Sequence, residues 1–251
     1  MIRKIQINEK IVLNYIPGIK MNIIVNGATR GIGKEIARIL AGNGNNQVIV
    51  TGRNKAALDQ LSGNSDHGNI ITYQLDLTCV DRQLDSFMEK VQNQFESIDI
   101  LINNAGTIIV KDFHDFSTDE ARNIMEINFI GPAAIIRTLK PMMKKGSHIV
   151  NISSMGGFQG SAKYRGLSYY SSSKAALACL SECLAEEFRK DGIAVNCLAL
   201  GSVQTEMFRE AFPQSVAAVS AREMADFIVD FALNGSKYFN GKVIPVAGKN
   251  P

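Results

Sequence analysis

The sequence predicts an α/β fold: a doubly wound, Rossmann-type parallel sheet of about seven strands in a single domain. Three observations predict it. Short β-branched runs recur along the chain, longer amphipathic segments separate them, and the runs are apolar nearly throughout instead of alternating. The third is the most telling, because a strand covered by helices on both faces needs apolar side chains on both, which is the condition of a parallel sheet.

The first clear strand covers residues 22–25 and runs into a glycine-rich turn, after which a helix is expected over 32–42. Strands at 47–51 and 70–75 flank a helix at 55–61, and a helix at 81–95 leads to a strand at 98–102. The long amphipathic stretch 118–144 reads as one helix, with Lys144 and Lys145 at its C-terminal end, where the helix dipole favours cations. A strand at 148–152, a helix at 169–190, a strand at 194–198, a helix at 221–233 and a strand at 242–246 complete the pattern. Residues 1–20 form an extension of uncertain status: Ile5, Ile7, Ile11 and Leu13 suit a hairpin around Asn8 and Glu9, and Met21 is an alternative start. No function is expected there.

Composition narrows the function. The chain has 251 residues, 45% of them hydrophobic, and no Pro/Ser-rich linker divides it, so one domain over 21–251 is expected. Lys and Arg number 27 against 24 Asp and Glu, a net +3 spread without clusters, which argues against nucleic acid as a partner. No apolar stretch approaches the roughly 20 residues of a membrane span, and no signal peptide is recognisable. Cys79, Cys179, Cys183 and Cys197 contain no C-x-x-C, and His67, His114 and His148 stand at unrelated spacings. No metal site is expected, and the thiols read as buried and reduced in a cytoplasmic protein.

Chemistry is expected in the loops after the strands, because ligands of such sheets bind beyond the carboxyl ends where the winding reverses. Gly27, Thr29, Arg30, Gly31, Ile32 and Gly33 follow the first strand. Glycines there let the backbone turn tightly beneath a pyrophosphate, which sits on the free N–H groups of the next helix. A Walker loop is excluded, since Ala28 and Glu35 stand where Gly and Ser or Thr are needed. The second strand ends at Arg53, where an NAD site carries an acid for the ribose 2′-OH. With Arg30 close by and no acid, the cofactor is expected to be NADP(H), the two guanidinium groups clamping its 2′-phosphate.

These residues resemble the short-chain dehydrogenase/reductase family from about Met21 to the end of the chain. The turn is similar to the family's T-G-x-x-x-G-I-G, with Asn26 for Thr. Asn103-Asn104-Ala105-Gly106 resembles its N-N-A-G motif, and Tyr170 with Lys174 its Y-x-x-x-K. The resemblance implies that Asp76 contacts adenine, that Asn104, Ala105 and Gly106 shape the cofactor site, and that Asn128 holds a water on the proton path. It assigns the catalytic serine to Ser154, yet 16 positions separate Ser154 from Tyr170, more than the family usually shows, so Ser153 stays open. Leu200-Gly201-Ser202-Val203-Gln204-Thr205 resembles P-G-x-V-x-T with Leu200 for Pro. This implies that the Val203 backbone and the Thr205 hydroxyl contact the cofactor, on a looser turn.

Spacing of four sets Tyr170 and Lys174 on one face of their helix, with Tyr169 off that register. A phenol of pKa about 10 needs a neighbouring cation to act near neutrality, and Lys174 supplies one. By resemblance, Lys174 also holds the nicotinamide ribose and Tyr170 protonates the substrate oxygen.

Residues 205–220 stand where the family carries a substrate lid. Met207, Phe208 and Phe212 suit a hydrophobic, acyl-like substrate there, or equally a helix packed on the core. The resemblance therefore implies an NADP(H)-dependent oxidoreductase of carbonyl or alcohol groups, a 3-oxoacyl thioester among the candidates, like the 3-oxoacyl-carrier-protein reductases. The alternatives are an idle NADP-binding redox sensor, against which the complete set Asn128, Ser154, Tyr170 and Lys174 speaks, and a nucleotide-sugar epimerase, which needs a different glycine spacing. Apolar residues on more than one face of helices 118–144 and 169–190 predict a homodimer or homotetramer.

Overall fold

The computed structural model describes residues 20–248; the hairpin expected within 1–19 lies outside them. Seven parallel strands form the main sheet: β1 (Asn22–Asn26), β2 (Gln47–Gly52), β3 (Ile70–Gln74), β4 (Ile98–Asn103), β5 (Met143–Ser154), β6 (Ala194–Leu200) and β9 (Val243–Val246). Their order is β3-β2-β1-β4-β5-β6-β9, so the winding reverses between β1 and β4, and a crevice opens beyond Asn26 and Asn103.

The near-continuous apolar runs serve two cores. In β1, Ile23 and Val25 face one side and join Ile36, Val48, Val50 and Ile228, while Ile24 faces the other with Ile49, Phe87, Leu101 and Ile135. The first core lies under α1 (Gly31–Ala41), α2 (Lys55–Gly63) and α8 (Ala221–Asn234), and the second under α3 (Leu84–Gln92), α5 (Gly131–Leu139) and α6 (Ser168–Glu187). Helix starts are written locally. Ser117 opens α4 (Thr118–Met125) and Ser220 opens α8, each with a reciprocal bond to a Glu three residues on, Glu120 and Glu223.

The helix expected over 118–144 is instead four helical pieces. A π turn at Glu126–Ile130 separates α4 from α5, and a 3₁₀ turn at Lys140–Met142 ends the run. Pro141 has no N–H for the α-helical ladder, so α5 tightens into the 3₁₀ turn although Lys140 keeps helical angles, and the chain becomes extended at Met143. Lys144 and Lys145 consequently lie in β5, and Lys144 pairs with Asp99 at 3.1 Å instead of capping a helix. Between the register pairs Ile98–Met143 and Ile100–His148 the β5 side carries three additional residues, accommodated by Gly146 at φ +93°.

A two-stranded parallel ladder, β7 (Val203–Gln204) with β8 (Val219–Ser220), was not anticipated; it brackets α7 (Glu206–Ala211). The thiols also differ from expectation. Cys197 is buried, but Cys79, Cys179 and Cys183 are exposed, the last two because they sit on the outer side of α6. Among the described residues no helix is long and apolar enough to cross a membrane.

Candidate active site

The strand ends at the switch point line a cleft of about 820 Å³, within the usual size of ligand sites. Its floor is the turn between β1 and α1. A Cβ on Gly27 would lie 2.5 Å from Ala105 Cα, and one on Gly33 would lie 2.0 Å from the Gly27 carbonyl oxygen. The turn therefore exists only with glycine at both places. Asn104 Nδ2 donates to the Gly27 carbonyl at 2.8 Å, tying the loop after β4 to it. Asn26, in place of the family's Thr, accepts from Thr51 Oγ1 at 2.8 Å, which leaves its buried Nδ2 without a partner beside the cleft.

Arg30 and Arg53 both line this cleft, but only Arg53 is free of ion pairs among the described residues. Arg30 is turned to Glu210 of α7. Asp76 caps the 3₁₀ turn Leu77–Arg82, one carboxylate oxygen accepting from Thr78 N and Oγ1 at 3.0 and 2.9 Å. Thr29, Gly31, Ile32, Ala105, Gly106, Val203 and Thr205 also line the cleft; Thr205 additionally caps α7 by accepting from Phe208 N at 3.1 Å. Leu200 continues β6 in register with Ser154 of β5 and Val246 of β9, and Gly201 N bonds the Val246 carbonyl at 2.9 Å. The missing proline is thus replaced by sheet pairing.

Ser154, Tyr170 and Lys174 converge on the cleft wall. Ser154 and Tyr170 face the same cleft, with Ser154 near enough to the phenol to lower its pKa, while Ser153 is buried and donates to the Lys174 carbonyl at 2.8 Å. Ser154 alone of the two serines therefore meets Tyr170. Burial raises the Tyr170 pKa above the usual 10, and Ser154 only partly offsets this. The lowering expected from the Lys174 cation is absent: desolvation dominates at the phenol, and the ammonium is directed to the Ile152 carbonyl at 2.9 Å. Lys174 is itself brought down from 10.5 to about 8 by burial, the nearby Cys197 opposing this. Tyr169, one place off register, stacks on Phe113 and meets Phe116 edge-on, away from this group.

Asn128 lies in the π turn, a form that recurs at functional sites. Its Oδ1 accepts from Thr107 N at 2.8 Å, and its Nδ2 donates to Thr107 O and Ser173 Oγ, both at 2.9 Å. It clamps the loop after β4 to α6 one residue before Lys174. Pro132, four residues on, offers no amide to the Asn128 carbonyl.

The sequence did not expose the role of the 158–167 segment. Its Arg165 forks onto Asp112, and Tyr164 and Leu167 join the cleft mouth. Asp112, His114 and Asp115 also gather, with ligating atoms within 4.8 Å, although Asp112 is committed to Arg165. The apolar residues expected to meet a second subunit are largely used within the protomer: Ile124, Ile127, Ile135, Leu139 and Leu177 are buried, and Ile130 is exposed.

Fold and site define a dinucleotide-binding oxidoreductase of the doubly wound class. The chain belongs to the short-chain dehydrogenase/reductase family: the family model described as short chain dehydrogenase matches residues 21–215. An uncharacterized oxidoreductase of Staphylococcus aureus strain N315 is 28% identical over 225 residues, covering 89% of this chain and 95% of that one. Among solved structures, the RhlG/NADP active-site complex of Pseudomonas aeruginosa is 26% identical with TM-score 0.81, covering 91% of this chain and 95% of the other. A short chain dehydrogenase from Burkholderia cenocepacia J2315 in complex with NADP has TM-score 0.82 at 23% identity, covering 92% and 97%, and carries the fold comparison alone.

Proposed function

We propose that this oxidoreductase uses NADP(H) to reduce a carbonyl on an apolar substrate, with Tyr170 as the proton donor. The observation that carries the reading is the Ser154–Tyr170 hydroxyl pair in the cleft, one helical turn from a buried Lys174. The residues present fit the dinucleotide. The glycine cradle has no room for side chains, the orphaned Asn26 Nδ2 offers a buried donor, and two guanidinium groups stand where a 2′-phosphate is read.

When bound, the nicotinamide supplies the hydride that adds to the carbonyl carbon. The chain's residues manage the oxygen. Ser154 orients it and stabilises the charge developing there. Tyr170, kept protonated at neutral pH by its raised pKa, gives its Oη proton to that oxygen as the C=O π pair becomes the O–H bond. Lys174 holds the nicotinamide ribose and lets solvent return the proton to Tyr170, while Asn128 fixes the loop beside both. The net change is one carbonyl, one hydride and one proton giving one alcohol.

Met155, Leu167, Met207, Phe208, Phe212 and Val216 line the substrate side. None of the α7 residues is buried, so Met207 and Phe208 border the cleft instead of a core, which favours a lid over a packed helix. A 3-oxoacyl thioester or a similarly apolar ketone fits this lining. Half-buried Leu180 of α6, with exposed Ile130, supports pairing of subunits, whereas Leu184 and Phe188 pack against the protomer's own core. The test is steady-state kinetics of reduced-cofactor oxidation against β-ketoacyl thioesters, diketones and keto sugars. NADPH is expected to give at least tenfold higher kcat/KM than NADH on the best substrate; equal values overturn the cofactor assignment.

A further inference from the structure

Arg30 stands at the start of α1 and Glu210 near the end of α7, 180 positions apart in sequence, and their side chains meet fork to fork. Nη1 lies 2.5 Å from Oε1 and Nη2 lies 3.0 Å from Oε2. Both side chains are about half exposed, at 48% and 62%, so the pair adds little to overall stability. It is nevertheless a direct tie between the cofactor turn and the lid helix, and α7 buries no residue that would hold it otherwise.

The geometry has a chemical consequence. The paired Nη edge of a guanidinium is the edge that would bind a phosphate in the same bidentate way, so it cannot serve Glu210 and a phosphate together. The guanidinium also holds the Glu210 carboxyl below the usual range, so Glu210 is ionised at neutral pH. A phosphate arriving at Arg30 meets that carboxylate as a like charge. Arg53, which also lines the cleft, has no such competitor among the described residues.

We propose that Glu210 is a cofactor-specificity residue: it competes with the 2′-phosphate of NADP(H) for Arg30, weakening the phosphorylated cofactor selectively and coupling its arrival to release of α7. This inference rests on the NADP(H) reading of the site. It assigns to the lid a way of sensing the adenosine end of the cofactor, remote from the reacting carbon.

The experiment compares wild type with Glu210→Gln, a nearly isosteric change at an exposed position, by titrating NADPH, NADH, adenosine 2′,5′-bisphosphate and AMP. Losing an exposed ion-pair competitor should tighten NADPH and the bisphosphate about two- to fivefold. NADH and AMP affinities should not change. Amide exchange over residues 206–212 should rise in wild type on adding the bisphosphate but not AMP, and should already be raised in the ligand-free variant. In an Arg30→Met background the same Glu210→Gln change should have no effect on any ligand. Unchanged NADPH affinity in the variant, or equal tightening of NADPH and NADH, overturns the role of Glu210 while wild-type preference for NADPH leaves the cofactor assignment standing. Equal binding of NADPH and NADH by wild type overturns the cofactor assignment itself, and the competition with it.

Discussion

Ser153 Oγ donates to the backbone carbonyl of Lys174 at 2.8 Å, fastening the end of β5 to the turn of α6 that carries Tyr170. Its neighbour Ser154 faces the cleft beside Tyr170 instead. Adjacent strand residues point to opposite faces, so two consecutive serines acquire different work: one supports the helix, the other faces the substrate.

The two roles predict different losses. Ser154→Ala should lower kcat by about 10²- to 10³-fold, the usual cost of removing a transition-state donor, with little change in melting temperature. Ser153→Ala removes a buried bond and should destabilise the fold by about 1–2 kcal/mol while costing less activity. Kinetics and urea unfolding on both variants decide it; a reversed pattern would transfer the substrate role to Ser153.

Tyr170→Phe should reduce turnover by about 10²- to 10⁴-fold, since the ring stays and only the acid proton is lost. NADPH affinity should stay within about twofold, because the cofactor contacts assigned to α6 come from Lys174. Tyr169→Phe is the control: its ring packs against Phe113 and Phe116, so near-normal turnover is expected. An inactive Tyr169→Phe variant beside an active Tyr170→Phe one would refute the register.

Gly33→Ala tests the cradle. Its new Cβ would stand 2.0 Å from the Gly27 carbonyl oxygen and 2.4 Å from Asn104 Nδ2, and the first of these is backbone that cannot swing aside. The turn must open, at a cost of about 1–3 kcal/mol for overpacking. A lower melting temperature and more than tenfold weaker NADPH binding are expected. Gly63→Ala, at a position with nothing within 4 Å of the added Cβ, should alter neither, which makes the pair a matched measurement.

Most of the sheet was legible in sequence because buried parallel strands such as Ile23-Ile24-Val25 must be apolar on both faces, and few other structures ask for that. What escaped depends on tertiary partners. The division of 118–144 turns on Asn128 bonding Thr107 and Ser173, contacts that no period of apolar residues encodes, although Pro132 and Pro141 were local signals of interruption. The exposure of Cys179 and Cys183 follows from which side of α6 meets the sheet, and a residue type alone does not give that. The engagement of Arg30 by Glu210 across 180 positions lay equally beyond local reading, while the glycines at 27 and 33 were legible because only their backbone geometry was in question.

Acid stability should register His148. It is buried, with Nδ1 against the Ala232 carbonyl at 2.9 Å and Nε2 against Asn196 Nδ2 at 3.0 Å, which a neutral ring with its proton on Nδ1 satisfies. Burial brings its pKa from 6.5 to about 4. The unfolded chain therefore binds the extra proton first, and stability present above about pH 6.5 is lost as pH falls through about 4. At roughly 1.4 kcal/mol per unit the loss approaches about 3 kcal/mol. Urea midpoints between pH 7 and 4 should follow this slope in wild type and flatten in His148→Gln; parallel slopes would show that His148 is not the responsible group.

Lys174 gives the corresponding prediction at alkaline pH. Its folded pKa of about 8 lies below the ordinary 10.5, so between these values the unfolded chain holds more protons and stability rises with pH. Below about pH 8 both states are protonated, and the full cost of burying the ammonium is present; above about 10.5 both are neutral, and the cost is gone. A shift of this size corresponds to no more than about 3 kcal/mol. Lys174→Met keeps the apolar stem, removes the charge, and leaves the Ile152 carbonyl short of a donor, a penalty of about 1–3 kcal/mol that does not vary with pH. The absolute stability of the variant thus reflects two opposed effects of similar size, but its pH dependence reflects only the first. Stability of the variant minus that of wild type should be most favourable at pH 7 and decline steadily toward pH 10, and taking the difference at each pH removes the common contribution of other titrating groups. A difference that stays constant across this range would mean that the Lys174 ammonium is solvated in the cofactor-free protein, and its positioning in the site would then depend on the bound dinucleotide.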